Sequence, residues 1–273
     1  MLESVTRKKM AEGNTAEIYR LGNGRILKLF REGISCDDVE REYRSTCFAS
    51  ALLPQVPKAY ELTEADGRMG IIFQEVSGTE MLRLMMEHPL RLLRYSRDFA
   101  AYHAGIAKPV SAKMRPVREK LRDEIRWQTY LNENEKIQVM DMLPRLPDGD
   151  RLCHFDFHPG NVMIDGRDVF YLDWMTACRG DACADAARTW LLLKYGEPMH
   201  ADRKTLRRAR SIMTAGSYLY LKTYRRLTGV KKKQITQWIV PVAAARLNEW
   251  LTEHERERLL VLIRQALRKT ERR

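Results

Sequence analysis

The sequence predicts an α+β fold, in which a small β-rich N-terminal part with one helix (residues 1–76) precedes a larger, mostly helical part (residues 77–273). Three observations carry that division. Glycine-centred turns between short apolar runs crowd the first 75 residues. Apolar residues recur at helical spacing over most of the chain beyond Gly78. A single return of β pattern runs from Arg151 to Trp174. With 273 residues, 44% hydrophobic and 31% charged, the chain is long enough for a sizeable core and lies outside the disordered and fibrous classes.

In the N-terminal part, residues 18–21 and 25–30 read as strands joined by the Gly22-Asn23-Gly24 turn. Asp37 and Asp38 open a helix over residues 39–52, which Pro54 and Pro57 stop. Residues 59–62 and 69–76 form a second β pair around Ala65-Asp66-Gly67, and Ser77-Gly78 is the expected hinge. Helices are then expected over residues 79–107, 115–131 and 133–143. After the β segment come helices at 184–195, ended by Gly196 and Pro198, and at 202–227, ended by Gly229. Residues 234–251 read as a helix bent at Pro241, and Thr252-Glu253-His254-Glu255 as a capping box that opens the last helix.

No apolar run nears the roughly 18 residues of a membrane span; runs such as Leu259 to Ile263 are far shorter. No apolar segment follows the charged stretch Met1 to Met10, as a secretory leader requires. The expectation is a cytoplasmic protein with no membrane partner. Its five cysteines have no framework spacing and read as thiols. The net charge of +12 is concentrated at one end, since residues 201–273 hold 19 Lys and Arg against six Asp and Glu. Such an excess suits solvated helix faces or an anionic partner. Lys231 to Lys233 and Arg207, Arg208 and Arg210 raise nucleic acid as that partner. Aromatic residues at only 8%, with Tyr218, Tyr220 and Tyr224 at packing spacing, argue against it.

The chemistry concentrates between Cys153 and Trp174. Asp165-Gly166 reads as a hairpin turn, and counting outward from it places Asn161 and Asp173 at the same end of two paired strands. Asp156, five residues before Asn161 across a Pro-Gly loop, can reach the same place. Two carboxylates and an amide oxygen suit Mg²⁺, which takes oxygen ligands and shares its shell with substrate phosphates. Zinc is disfavoured, because Cys153, His154, His158, Cys178 and Cys183 complete no C-x-x-C pair. Separately, Lys28 shares a strand face with Ile26 and Phe30. An ammonium group there is costly unless it is paired or holds an anion. Glu42 is its natural partner on the following helix, with Glu40 as competitor.

His154-x-Asp156-x-x-x-x-Asn161, followed by an Asp at the end of the next strand, resembles the catalytic and metal-binding loops of protein-kinase-like folds. More closely, His158-Pro-Gly-Asn-Val162 and Leu172-Asp-Trp174 resemble the aminoglycoside phosphotransferase and choline kinase branch, over Cys153 to about Leu193. The resemblance implies a two-lobed kinase-like fold, with a nucleotide-binding lobe at 1–76 and a catalytic and acceptor-binding lobe at 77–273. It implies an ATP- and Mg²⁺-dependent phosphotransferase that moves the γ-phosphate to a hydroxyl of a small molecule. Asp156 would take or orient the hydroxyl proton, His154 would brace its loop, and Asn161 and Asp173 would hold Mg²⁺. Asp185 would support the same loop, although a plain acid at a helix start reads equally well. Lys28 would hold phosphate with Glu42 as its ion-pair partner. Gly13-Asn14-Thr15 would be the phosphate loop, and Glu75-Val76 part of the linker against which adenine lies.

Two positions depart from the pattern: the phosphate loop has one glycine, and Phe155 stands where the branch usually has Gly. The basic C-terminal helices lean the acceptor toward a neutral or anionic metabolite, a sugar or amino alcohol among them, rather than an aminoglycoside polycation. The interval Asp173 to Asp185 is too short for a regulated activation loop, which weighs against a protein substrate. The competing reading is a kinase-fold module that binds nucleotide or nucleic acid without phosphotransfer. Nothing in the sequence speaks to oligomeric state.

Overall fold

The computed structural model describes residues 8–13, 15–111, 113–197 and 202–271. Its first elements are β1 (Lys8–Glu12), β2 (Ala16–Gly22), β3 (Arg25–Phe30), α1 (Cys36–Leu52), β4 (Ala59–Ala65), β5 (Arg68–Gln74), β6 (Thr79–Glu80), α2 (Met81–Glu87), α3 (Leu92–Ile106), α4 (Val117–Trp127) and α5 (Glu133–Met140). There follow β7 (Arg151–Cys153), β8 (Val162–Asp165), β9 (Asp168–Tyr171), β10 (Cys178–Gly180), α6 (Ala182–Tyr195), α7 (Arg203–Thr228), α8 (Lys232–Thr236), α9 (Ile239–Arg246) and α10 (Glu253–Glu271). The chain divides into two compact units, Met1–Met81 with Gly160–Ala177, and Leu82–Pro159 with Cys178–Arg273.

In the first unit an antiparallel sheet runs in the order β1-β2-β3-β5-β4. Its β2–β3 turn takes Gly22, Asn23 and Gly24 through positive φ, where glycine and asparagine cost least. Strand alternation then sorts the core onto two faces. Ala16, Phe30, Ile71 and Phe73 pack with Val39 of α1, while Leu27, Leu29 and Ile72 pack with Ala65 on the other face. Lys28 falls on the α1 side with Ile26 and Phe30. Helix α1 starts three residues before the expected Val39 because Ser35 caps it, accepting the Asp38 N–H at 3.1 Å.

A second small sheet in this unit has the order β6-β8-β9. Thr79 therefore pairs with Ile164 rather than opening a helix. Gly78, at φ 126, is required for more than flexibility: a Cβ there would lie 2.4 Å from the Ile164 carbonyl oxygen.

In the second unit the helix expected over 79–107 is broken. Pro89 can supply no N–H, so α2 stops before His88, a 3₁₀ turn spans Pro89–Arg91, and α3 follows. The helix expected over 234–251 is likewise two, α8 and α9, parted at Gln237 and Trp238. Pro241 sits in the first turn of α9, where its missing N–H costs nothing, so it does not bend a helix. Helix α7 ends as expected, with Gly229 at φ 74. Tyr220 and Tyr224 of α7 are buried, but Tyr218 is 69% exposed and is not a packing residue. Strand β10, absent from the sequence reading, pairs antiparallel with β7 and sets Cys178 opposite Cys153. Phe99 stacks on Phe157 with ring centroids 4.8 Å apart, which joins α3 to the segment after β7. Among the described residues no helix is long and apolar enough to cross a membrane.

Candidate active site

Within the first unit, Lys28 reaches Glu42 Oε1 at 2.6 Å and Asp173 Oδ1 at 3.6 Å, beside the Phe30 ring. Burial favours loss of the Lys28 proton, but Asp173 and Glu42 outweigh it and hold the ammonium above its ordinary pKa. Glu42 is the more strained partner. Burial, only partly opposed by Lys28, pushes its carboxyl up to about 7, and the charge of Asp173 acts in the same direction. Its Oε2 is buried without a hydrogen-bond partner. The competing Glu40 pairs instead with Arg44.

The β8–β9 hairpin brings Asn161 and Asp173 to the same end of its two strands: Val162 faces Tyr171, and the Leu172 N–H donates to the Asn161 carbonyl at 2.9 Å. An amide and a carboxylate at one strand end are hard oxygen donors, the set Mg²⁺ takes when substrate phosphates complete its shell. The donors present thus fit that ion. Gly13 starts a tight turn into β2, its N–H donating to the Ala16 carbonyl at 2.8 Å. The Gly13 and Thr15 carbonyls accept from the Arg31 side chain and backbone N–H respectively. Asn14 lies outside the described residues. The Glu75 N–H donates to Gly24 O at 2.7 Å, and the Glu75 carboxylate pairs with Arg20; Val76 follows, half-buried.

In the second unit β7 delivers the chain into the loop His154 to His158, and α6 fixes the shape of that loop. Asp185, Arg188 and Thr189 lie at positions i, i+3 and i+4, on one helix face. Asp185 accepts the backbone N–H of His154 at 2.7 Å and of Phe155 at 2.9 Å, and lies 3.1 Å from His103 Nε2. Burial would raise its carboxyl, but His103, His154 and the Phe155 N–H prevail and hold it below the usual value. The Tyr220 hydroxyl lies 2.7 Å from His103 Nδ1, extending the network to α7. Arg188 Nε donates to Phe155 O at 3.0 Å, and Thr189 Oγ1 to Phe157 O at 3.0 Å.

His154 is wholly buried and its Nδ1 accepts the Asp156 N–H at 3.2 Å. Asp156 has Arg188 Nη2 at 3.4 Å from one oxygen and His158 Nε2 at 3.7 Å from the other. Phe155 stands at φ 63, the left-handed region that glycine enters freely, which explains why a glycine suits this position. Its buried ring lies against two cations, Lys120 at 5.6 Å and Arg188 at 6.0 Å.

Sequence reading missed His103 and Arg188. A signal existed for Arg188, a charge one turn after Asp185 in a helix rich in Ala and Leu. His103 looked like any lone histidine on a packed face.

The family model described as APH, phosphotransferase enzyme family, matches residues 6–227, a span holding every residue placed above. The chain belongs to that family. Its fold is also that of solved kinases. A choline kinase from Cryptosporidium parvum is 10% identical, with 98% of this chain and 91% of that one covered and a TM-score of 0.57. An aminoglycoside phosphotransferase, APH(3'')-Id from Streptomyces rimosus in complex with ADP and streptomycin, is 15% identical, with 90% and 93% covered and a TM-score of 0.56. ADP-bound APH(2'')-Ib is 12% identical, with 97% and 93% covered and a TM-score of 0.57. No curated protein matches the sequence. The protein is thus a member of the phosphotransferase enzyme family, with the kinase-like fold of solved aminoglycoside phosphotransferases and choline kinases.

Proposed function

We propose that this phosphotransferase moves the γ-phosphate of ATP to a hydroxyl of a small molecule in the cytoplasm. The observation that carries the reading is Lys28, only 12% exposed and held between Glu42 and Asp173 on an otherwise apolar face. An ammonium fixed there by two carboxylates is positioned to pair with phosphate oxygens. The backbone around Gly13 and Thr15 would cradle the phosphates, and the backbone at Glu75 and Val76 would meet the adenine. Asn161 and Asp173 hold Mg²⁺, which when bound supplies positive charge against the phosphate oxygens. Asp156 orients the acceptor hydroxyl and takes its proton, and His154 and Asp185 keep that carboxylate in place. The nucleotides in two of the solved neighbours support a nucleotide co-substrate.

The charge beside Asp156 bears on the acceptor. Arg188 and Lys120 are 3% and 12% exposed, whereas Asp156, Glu124 and Glu249 are 25%, 24% and 39% exposed. The cations lie beneath and the carboxylates face solvent, which favours an amine-bearing alcohol over the neutral or anionic metabolite that overall charge suggests. The C-terminal basic excess lies elsewhere, with Arg203, Lys204, Arg207 and Arg208 exposed on α7. The test is nucleotide consumption with a panel of amino alcohols, aminoglycosides and amine-free sugars. The expected result is turnover with an amine-bearing acceptor that Asp156→Ala lowers by about 10²–10⁴-fold. Native rates in Asp156→Ala would refute the role of Asp156, and preference for amine-free sugars would refute the acceptor class.

A further inference from the structure

Arg188 is shared unequally between two carboxylates. Its Nη1 lies 2.8 Å from Glu249 Oε1 and its Nη2 2.9 Å from Glu249 Oε2, a bidentate pair, while the same Nη2 reaches Asp156 Oδ1 only at 3.4 Å. Buried as it is, the guanidinium must be balanced by the groups it touches. Charge-assisted hydrogen bonds near 2.8 Å are strong and one at 3.4 Å is marginal, so Glu249 carries most of that balance.

Glu249 belongs to the turn after α9 and is anchored there. Arg246 Nη1 donates to its Oε2 at 2.7 Å, and Arg246 is itself held by Glu255 Oε1, 2.8 Å from Nε. Glu255 Oε2 accepts the Glu197 N–H at 3.1 Å. Charge therefore alternates from Asp156 through Arg188, Glu249 and Arg246 to Glu255. Glu249 lies outside the span that the family model matches, so this grip on Arg188 comes from the chain's own C-terminal region.

We propose that Glu249 is a positioning residue: by gripping Arg188 with both oxygens it holds the guanidinium back from Asp156, whose carboxylate then keeps the basicity that proton transfer from a hydroxyl requires. The proposal rests on the phosphotransfer reading for its consequence but not for its geometry. Without Glu249, the charge of Arg188 falls to Asp156, which becomes a tight ion-pair partner and a poorer base.

Thermal denaturation of Asp156→Asn, Glu249→Gln and the double variant tests this without any acceptor. Two carboxylates competing for one guanidinium predict that Asp156→Asn costs more in the Glu249→Gln background, so that the double variant melts below the sum of the single shifts. Additive shifts overturn the proposal. With an acceptor that the native protein phosphorylates, Glu249→Gln lowers kcat about tenfold or more while the KM for nucleotide stays put, and Glu249→Asp recovers part of the loss. A native kcat in Glu249→Gln overturns the proposal as well. Non-additive melting in a protein that phosphorylates no acceptor upholds the competition for Arg188 and counts against the activity instead.

Discussion

The lysine cluster of the N-terminal unit and the loop from His154 to His158 use the same kinds of group in opposite ways. Lys28 is divided between Glu42 at 2.6 Å and Asp173 at 3.6 Å, and one oxygen of Glu42 is buried with no hydrogen-bond partner. In the loop, Asp185 alone gathers two backbone N–H groups and His103, and Arg188 binds a backbone carbonyl and two carboxylates. On the proposed function the cluster would keep charge in hand for a phosphate and a metal ion, whereas the polar groups around the loop hold one backbone shape. Substitutions of the residues that brace the loop should therefore act on stability, and substitutions in the cluster on ligand binding and on how stability varies with pH.

The largest effect is expected at Asp185. Replacing it by Asn strips a buried partner from His103 and weakens the hold on two loop N–H groups, at a cost of about 3–5 kcal/mol in chemical denaturation. Because the folded-state pKa of Asp185 lies below its unfolded value, its contribution is present above the usual carboxylate value of 3.8 and is lost as pH falls through the folded value. A cost below 1 kcal/mol would mean that the loop does not depend on α6.

Glu42 has the opposite sign. Its carboxyl is raised to about 7, so its contribution to stability is fully present below the unfolded value of 4.5 and is lost as pH rises through about 7. Relative to Glu42→Gln, the native protein should lose on the order of 3 kcal/mol between those limits. Midpoints of both proteins from pH 4.5 to 8 check this, and a constant difference would show that Lys28 compensates Glu42 fully.

The smallest effect concerns Phe155. In an ordinary loop or helix glycine is less stable than alanine, but at φ 63 only glycine is unstrained. Phe155→Gly should therefore be about 1 kcal/mol more stable than Phe155→Ala. The reverse order would mean that the loop abandons its left-handed turn once the ring is gone.

Much of the cluster is legible in the sequence because local periodicity generates it. Strand alternation puts Lys28 on the face that α1 covers, and counting from Asp165-Gly166 brings Asn161 and Asp173 to the same end of the hairpin, with Asn161 opposite Leu172. The loop is only half legible. Asp185 and Arg188 share a helix face within one turn, but Glu249 reaches Arg188 from 61 residues away, and no local pattern marks such a pair. Strand β6 escaped for a similar reason: Thr79 continues an apolar helical pattern, and only pairing with Ile164 makes it a strand. The breaks at Pro89 and Gln237 depend on which turn of a helix a proline occupies, which composition alone does not fix. Phe155 shows the converse, where a departure visible in the sequence gains its meaning from one backbone angle.

On the proposed function, the lysine cluster binds nucleotide with Mg²⁺ while the loop does the chemistry. The shift in thermal midpoint on adding ATP, with and without Mg²⁺, tests it directly in the native protein, Asp173→Asn and Asp156→Ala. The expected result is a Mg²⁺-dependent rise of several degrees in the native protein, retained in Asp156→Ala and lost in Asp173→Asn. A rise that survives in Asp173→Asn, or none in the native protein, would contradict the assignment of the cluster.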